Sequence, residues 1–267
     1  MNSDFSNSIE TETTLVVASE NPEEILSKIG EISSIHNYQL LPGGTLTLSD
    51  YYFDKPSGDF SSFNWALRIR QIGEHAWIAA KGPSRETSSG GLERAEIELA
   101  WSLEAFDELS NLLAQHGLFV SGSQEQRISE DPLDALRDAG LIVIQKRQTV
   151  RVVRHIRSAE KGRLLAELAL DHVIYHIGSR ALLHHEIEIE SKAKEGRSAI
   201  RFLMQYLLGL YPAQLREWHY SKLATGRAIE MLLGEGHLGE VLDNDYLRPG
   251  AYDLIEKHWR TRIAKFD

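Results

Sequence analysis

His185-Glu-Ile-Glu-Ile-Glu190 sets three carboxylates, Glu186, Glu188 and Glu190, in alternation with Ile187 and Ile189. Successive side chains of an extended chain point to opposite faces, so this stretch is a strand with an acidic face and an apolar one. Carboxylates two residues apart on a strand stand only about 7 Å from each other. Three in a row repel one another unless a cation or basic side chains face them. Read alone, the stretch also describes an antiparallel sheet that turns its acidic face to water.

The pattern recurs. Glu10 and Glu12 alternate with Thr11 and Thr13, Glu96 and Glu98 with Ile97, and Glu167 shares a parity with Asp171. The opposite sign appears in Leu67-Arg-Ile-Arg70, and Arg147 and Arg151 again share a parity. A sheet closed on itself can turn such faces inward and carry amphipathic helices outside. Acidic and basic strands lining one lumen would suit a polyanion held together with a divalent metal. The expected fold is therefore α+β, a closed antiparallel β-barrel with a charged lumen and helices packed outside.

At 267 residues the chain is long enough for one large domain with a sizeable core. The formal charge of -10 argues against broad binding to nucleic acid or anionic membranes. The absence of cysteine excludes disulfides and thiolate metal sites, while a hard cation held by oxygen ligands remains open. No apolar run approaches a membrane span, and the polar first eight residues lack the regions of a signal peptide, so a cytoplasmic protein is expected.

Residues 9–17 read as a strand and 22–32 as a helix, with Asn21 as N-cap and Pro22 at its first position. Strands follow at 45–53, then at 65–71 and 76–80 as a hairpin around Gly73. The Ser- and Gly-rich stretch 83–91 reads as a mobile loop and 92–101 as a strand. Ser102 caps a helix over 103–116, and a short helix is expected at 131–138. Three strands at 141–153, 163–175 and 181–191 precede helices at 195–208, 214–233 and 251–264, a C-terminal part with no alternating strands. A break near Gly122 would leave neither half enough strands to close, so residues 1–233 read as one barrel domain and 234–267 as a helical extension packed on it.

Glu10-x-Glu12, Tyr52-Phe-Asp54, Leu67-Arg-x-Arg70, Lys81, Arg94-x-Glu96-x-Glu98, Arg147, Arg151, Asp171, Glu186-x-Glu188-x-Glu190 and Ser221-Lys222 stand in a recognisable order. That order resembles the CYTH superfamily, also called the triphosphate tunnel metalloenzymes, over about Ile9 to Lys222. The resemblance implies an eight-stranded barrel that binds a triphosphate-containing small molecule with Mg2+ or Mn2+. It implies substrate binding by Arg68, Arg70, Lys81, Arg94, Arg147, Arg151 and Lys222, Arg by planar forks and Lys as point charges. Metal ligation falls to Glu10, Glu12, Glu98, Asp171, Glu186, Glu188 and Glu190, and catalysis to Glu10, Glu12, Arg68 and Lys81. Thr14 stands where the family has the Lys of Glu-x-Glu-x-Lys, and a hydroxyl cannot replace an ammonium group.

Hydrolysis of inorganic triphosphate to diphosphate and phosphate is the leading expectation, with thiamine triphosphatase, class IV adenylate cyclase and a non-catalytic triphosphate- or polyphosphate-binding protein as alternatives. Neither membrane nor nucleic acid is expected as a partner, and monomer and homodimer both remain open. Glu96 and Glu98 could equally be ordinary cross-strand partners of Arg68, Arg70 or Arg94. Asp171 reads as lying at a strand end, where it could serve as a turn-former. Lys146 has the parity opposite to Arg147 and should be solvated. His184 and His185, adjacent on a strand, point to opposite faces, so a histidine metal site is not expected.

Overall fold

The computed structural model describes residues 8–86, 92–120, 129–193 and 195–263. In chain order, β1 (Ser8–Val17) is followed by α1 (Pro22–Gly30), β2 (Ser34–Ile35) and the long β3 (Tyr38–Asp54). Next come α2 (Asp59–Ser62), β4 (Ala66–Ile72), β5 (His75–Glu86), β6 (Leu92–Ala100), α3 (Leu103–Gln115) and α4 (Pro132–Asp138). The long strands β7 (Ile142–Ser158), β8 (Leu164–Ile177) and β9 (Arg180–Ser191) precede α5 (Gly196–Leu210). Then β10 (Leu215–Trp218) leads into α6 (Lys222–Gly234), α7 (Leu238–Val241), β11 (Leu242–Asp243), β12 (Tyr246–Leu247) and α8 (Ala251–Ile263). The architecture is α+β with mostly antiparallel strand pairing. Among the described residues no helix is long and apolar enough to cross a membrane.

Two compact units are drawn from interleaved stretches of chain, one including Thr47–Glu86 and Leu92–Arg147, the other Thr11–Leu46 and Gln148–Asp267. In the first, β3, β4, β5 and β6 pair antiparallel in sequence order. Ile72 faces His75 across a two-residue turn in which Gly73 has φ +58°, a conformation that costs glycine nothing. Leu67 and Ile69 join Phe53, Ile78 and Ala80 in a core closed by Phe106, Leu109 and Leu113 of α3 and Leu136 of α4. Both helices start on a side-chain cap: Ser102 accepts from the Ala105 amide, and Asp131 accepts from those of Leu133 and Asp134. The opposite parity carries Asp50, Tyr52, Arg68, Arg70, Lys81, Glu96 and Glu98.

In the second unit β1 pairs antiparallel with both β9 and β10, β8 with β9, and β12 adds to β9 in parallel. Leu15, Leu168, Leu170, Ile187 and Ile189 are covered by Ile25, Leu26 and Ile29 of α1 and by Ile200, Leu203, Met204 and Leu207 of α5. The apolar stripe of α1 makes that contact, and Arg154 closes the helix by donating to the carbonyls of Gly30, Ile32 and Leu40. A second core joins Val16, Val173, Tyr175 and Leu182 to Ala228, Ile229 and Leu232 of α6 and Ala251, Tyr252 and Ile255 of α8. By register these four strand residues lie on the same face as Glu186. So α1 and α5 pack on the apolar face as expected, whereas α6 and α8 cover the charge-bearing face where Val16, Val173, Tyr175 and Leu182 make it apolar.

Several expected boundaries move. Residues 214–233 do not form one helix: Leu215–Trp218 is a strand on β1, and α6 begins after Ser221, which caps it through the Ala224 amide. Four residues are too few for strand and helix periodicity to differ. The C-terminal part also contains the β11–β12 hairpin. β3 begins at Tyr38 and runs through Pro42-Gly43-Gly44, residues that normally break strands. A Cβ at Gly43 would lie 2.8 Å from Val153 Cγ1, so close packing dictates that glycine. Of the expected loop 83–91, residues up to Glu86 continue β5 past an irregularity between Lys81 and Ser84, and 87–91 lie outside the described residues.

At the start of α5, a Cβ on Gly196 would fall 2.0 Å from the backbone carbonyl of Leu165 and 2.6 Å from Ser191 Oγ. Gly196→Ala is therefore expected to destabilise the protein by about 1–3 kcal/mol despite the better helix propensity of Ala. A urea midpoint equal to or above that of the parent would refute this close approach.

Candidate functional site

The charged face of the first unit is organised around Asp50, 1 % exposed. Arg70 clasps it through Nε at 2.8 Å and Nη2 at 3.0 Å, and Arg147 Nη2 lies 2.6 Å from Oδ2. Arg68 Nε is 3.9 Å away and has no hydrogen-bond acceptor among the described residues. Burial works against the Asp50 carboxylate, but Arg147, Arg68 and Arg70 outweigh it and hold its pKa well below the usual range. Tyr52 accepts from Arg147 at 2.9 Å beneath the same guanidinium. Burial would raise the pKa of this phenol, yet Arg147 and Arg68 bring it below its ordinary value. Arg68 Nη2 donates to Glu98 at 2.7 Å, and Lys81 Nζ meets Glu96 at 2.6 Å. Four bases thus face three acids here, a surplus suited to an anion.

In the second unit Asp171, Glu186 and Glu188 each offer an oxygen within 4.8 Å of the others. Asp171 sits in the middle of β8 opposite Glu186, not at a strand end, so the turn-forming reading is corrected. Arg151 grips Asp171 with Nε at 2.8 Å and Nη2 at 2.6 Å and also donates to Glu188. Lys222 Nζ meets Asp171 at 3.0 Å, Glu188 at 2.5 Å and Glu186 Oε1. The α6 cap and a 2.9 Å hydrogen bond from Tyr175 Oη to the Lys222 carbonyl fix that lysine at the first helical position. Burial disfavours both cations, but the facing carboxylates raise the pKa values of Lys222 and Arg151; conversely Lys222 and Arg151 overcome burial to lower that of Asp171. Three oxygen donors this close are the ligand chemistry of a hard divalent cation, and Arg151 and Lys222 offset two of their three charges.

Glu12 lies across from Glu190, and Thr14 from Glu188. Glu190 meets Lys192 at 2.7 Å, which also reaches Glu167 at 3.1 Å. The side chains of Glu10 and Arg94 lie outside the described residues. Every other expected residue carries its charge on one of the two faces, with Arg68, Arg70, Lys81, Glu98 and Arg147 in the first unit and Glu12, Arg151, Asp171, Glu186, Glu188, Glu190 and Lys222 in the second. Sequence reasoning passed over Asp50 and Lys192, although Asp50 shares the parity of Tyr52. Asp54 is a loop organiser: it accepts from the amides of Lys55, Phe60 and Ser61 and from the Ser61 hydroxyl. Lys146 is exposed, as its parity requires, 5.7 Å from the Tyr51 ring centroid.

His184 and His185 do diverge. His184 bridges Glu186 at 2.7 Å and Tyr252 Oη at 3.0 Å. His185, on the other face, stacks on Tyr246 and has its pKa lowered to about 3 by burial and then by the neighbouring His172 and His184.

The model of the CYTH domain matches residues 9–208. No curated protein sequence matches the chain significantly. Among solved structures, a putative adenylyl cyclase from Hippeastrum, described as having a dominant triphosphatase activity, is 20 % identical with a TM-score of 0.53, over 83 % of this chain and 96 % of its own. The PH1819 protein from Pyrococcus horikoshii is 22 % identical with a TM-score of 0.44, over 84 % and 99 %. A putative adenylate cyclase from Bacillus halodurans is 21 % identical with a TM-score of 0.45, over 80 % and 95 %.

Asp50→Asn leaves two buried guanidinium groups, those of Arg68 and Arg147, and the partly buried one of Arg70 around a neutral amide, which is expected to cost about 3–5 kcal/mol of stability at neutral pH. Because the Asp50 pKa is lowered on folding, its contribution is present above the unfolded carboxylate range and is lost as pH falls through the lower folded value. Denaturation of parent and variant should therefore converge in strong acid; an equal gap at every pH would refute the assignment.

Proposed function

This chain belongs to the CYTH family, and we propose that it hydrolyses a triphosphate, inorganic triphosphate first, to diphosphate and phosphate in a metal-dependent reaction. The observation that carries this reading is the crowding of Asp171, Glu186 and Glu188 within 4.8 Å beneath two cations, Lys222 and Arg151. One place thus combines ligands for a hard cation with bases for phosphate oxygens. The closed eight-stranded barrel belongs to the proposal, as does the division into a domain over 1–233 and an extension over 234–267. Pairing of β1 with β9 supports closure, since a sheet that closes must join an early strand to a late one.

In this reading Asp171, Glu186 and Glu188, with Glu10, Glu12, Glu98 and Glu190 as further ligands, hold Mg2+ or Mn2+. The metal would supply positive charge to phosphate oxygens and make water more acidic. Arg68, Arg70, Arg147, Lys81 and Arg94 bind the phosphate chain and stabilise the charge that gathers on the leaving diphosphate. Glu10 and Glu12 orient the water that attacks the terminal phosphorus, and the bond to the bridging oxygen breaks. Lys222 and Arg151 keep the carboxylates from repelling one another before substrate arrives.

Thr14 favours a second reading, capture of triphosphate without turnover, because it removes an ammonium from β1. Yet Lys222 already brings an ammonium to Glu188, the residue facing Thr14, which favours turnover.

Phosphate release from inorganic triphosphate, thiamine triphosphate and ATP, each with Mg2+, Mn2+ or EDTA, tests the proposal. Metal-dependent release from inorganic triphosphate is expected, with a loss of at least about a hundredfold in Glu188→Gln and Arg68→Ala. Cyclic AMP from ATP would redirect the assignment to a cyclase. Tight binding without release, and turnover gained in Thr14→Lys, would establish the binding protein instead.

A further inference from the structure

On the face of β8 and β9 opposite Asp171 and Glu186, His172 and His185 stand directly across from each other. Their rings meet edge to face, with centroids 5.0 Å apart. Glu23, in the first turn of α1, completes the group: one nitrogen of each imidazole and one carboxylate oxygen lie within 4.8 Å of one another. His185 is 2 % exposed, and its Nε2 has no hydrogen-bond partner among the described residues. A buried ring nitrogen without a partner costs free energy that water or an ion would recover. The group is also held from outside. Tyr246 of β12 stacks on His185 with an interplanar angle of 6° and donates through its hydroxyl to Glu23 at 3.2 Å.

We propose that His172, His185 and Glu23 form a binding site for a borderline first-row divalent cation, zinc above all, distinct from the carboxylate cluster on the other face. Two imidazoles and one carboxylate are the donor set such ions select, whereas Mg2+ and Ca2+ prefer oxygen alone. Ligand atoms of a tetrahedral zinc ion stand about 3.3 Å apart. Glu23 is exposed and at a helix start, so its side chain is free to rotate toward an ion held between the two imidazoles. The bound ion would clip α1, the β8–β9 ladder and the C-terminal hairpin together, with Tyr246 orienting the carboxylate ligand.

The test uses the untagged full-length protein, stripped of metal and kept in excess Mg2+ so that the all-oxygen cluster is not the site being read. Zinc is titrated against a chromophoric chelator, and Cu2+ is added separately to read nitrogen hyperfine coupling by electron paramagnetic resonance. One zinc equivalent, nitrogen coupling and a zinc-dependent rise in Tm are expected of the parent. Glu23→Gln and His172→Gln, both sparing the buried His185, should weaken zinc binding at least about tenfold and abolish the Tm rise. Glu188→Gln should leave the zinc affinity as it is. Zinc binding unaltered by both Glu23→Gln and His172→Gln, or copper bound without nitrogen coupling, would overturn the site.

Discussion

Three carboxylates within 4.8 Å of one another are tolerable in a folded chain only if charge of the opposite sign is delivered among them. Here Arg151 comes from β7 and Lys222 from the first position of α6, 71 residues later in the chain by the numbering. Much of the second unit serves that delivery. Ser221 caps the helix, Trp218 Nε1 donates to Thr225 in its first turn, and Tyr175 holds the Lys222 carbonyl. The apolar core beneath α6 and α8 then fixes the helix axis. Helix placement and electrostatics are the same problem in this part of the molecule.

The first unit solves the mirror problem. Arg68, Arg70 and Arg147 converge on one buried carboxylate, Asp50, and each guanidinium is held by the geometry of its strand. Preorganised cations of this kind lose little side-chain entropy when an anion arrives. Their opposite faces supply the apolar contacts with α3 and α4, so Leu67 and Ile69 are as necessary to the charge array as Arg68 and Arg70.

Strand parity made most of this legible before any coordinates. Glu186, Glu188, Arg68, Arg70, Arg147 and Arg151 lie on the faces that alternation assigns, because a two-residue period leaves no choice once one face is buried. What escaped was set by partners distant in sequence. Asp171 read as a strand end although the expected strand runs to residue 175, because nothing local reveals its pairing with Glu186 within the β8–β9 ladder. Leu215–Trp218 was absorbed into a helix because its only strand signature is the edge of β1 that it joins. His185 was weighed against its neighbour His184, whereas its true counterpart, His172, is thirteen positions away and reached only through the β8–β9 register.

The core formed by Val16, Val173, Tyr175 and Leu182 begins on the charged face immediately beyond Glu186 and Asp171. From Glu190 to Glu186 the strand rises only about 13 Å, and past that point the face carries His184, tied to Glu186 and Tyr252, and then the apolar residues of this core. Under the proposed function, a phosphate chain laid along β9 would meet this apolar end, where each further phosphate would have to surrender its hydration. If the chain acts on a triphosphate as proposed, the helices that bring Lys222 into place would also limit how long a phosphate chain this face receives.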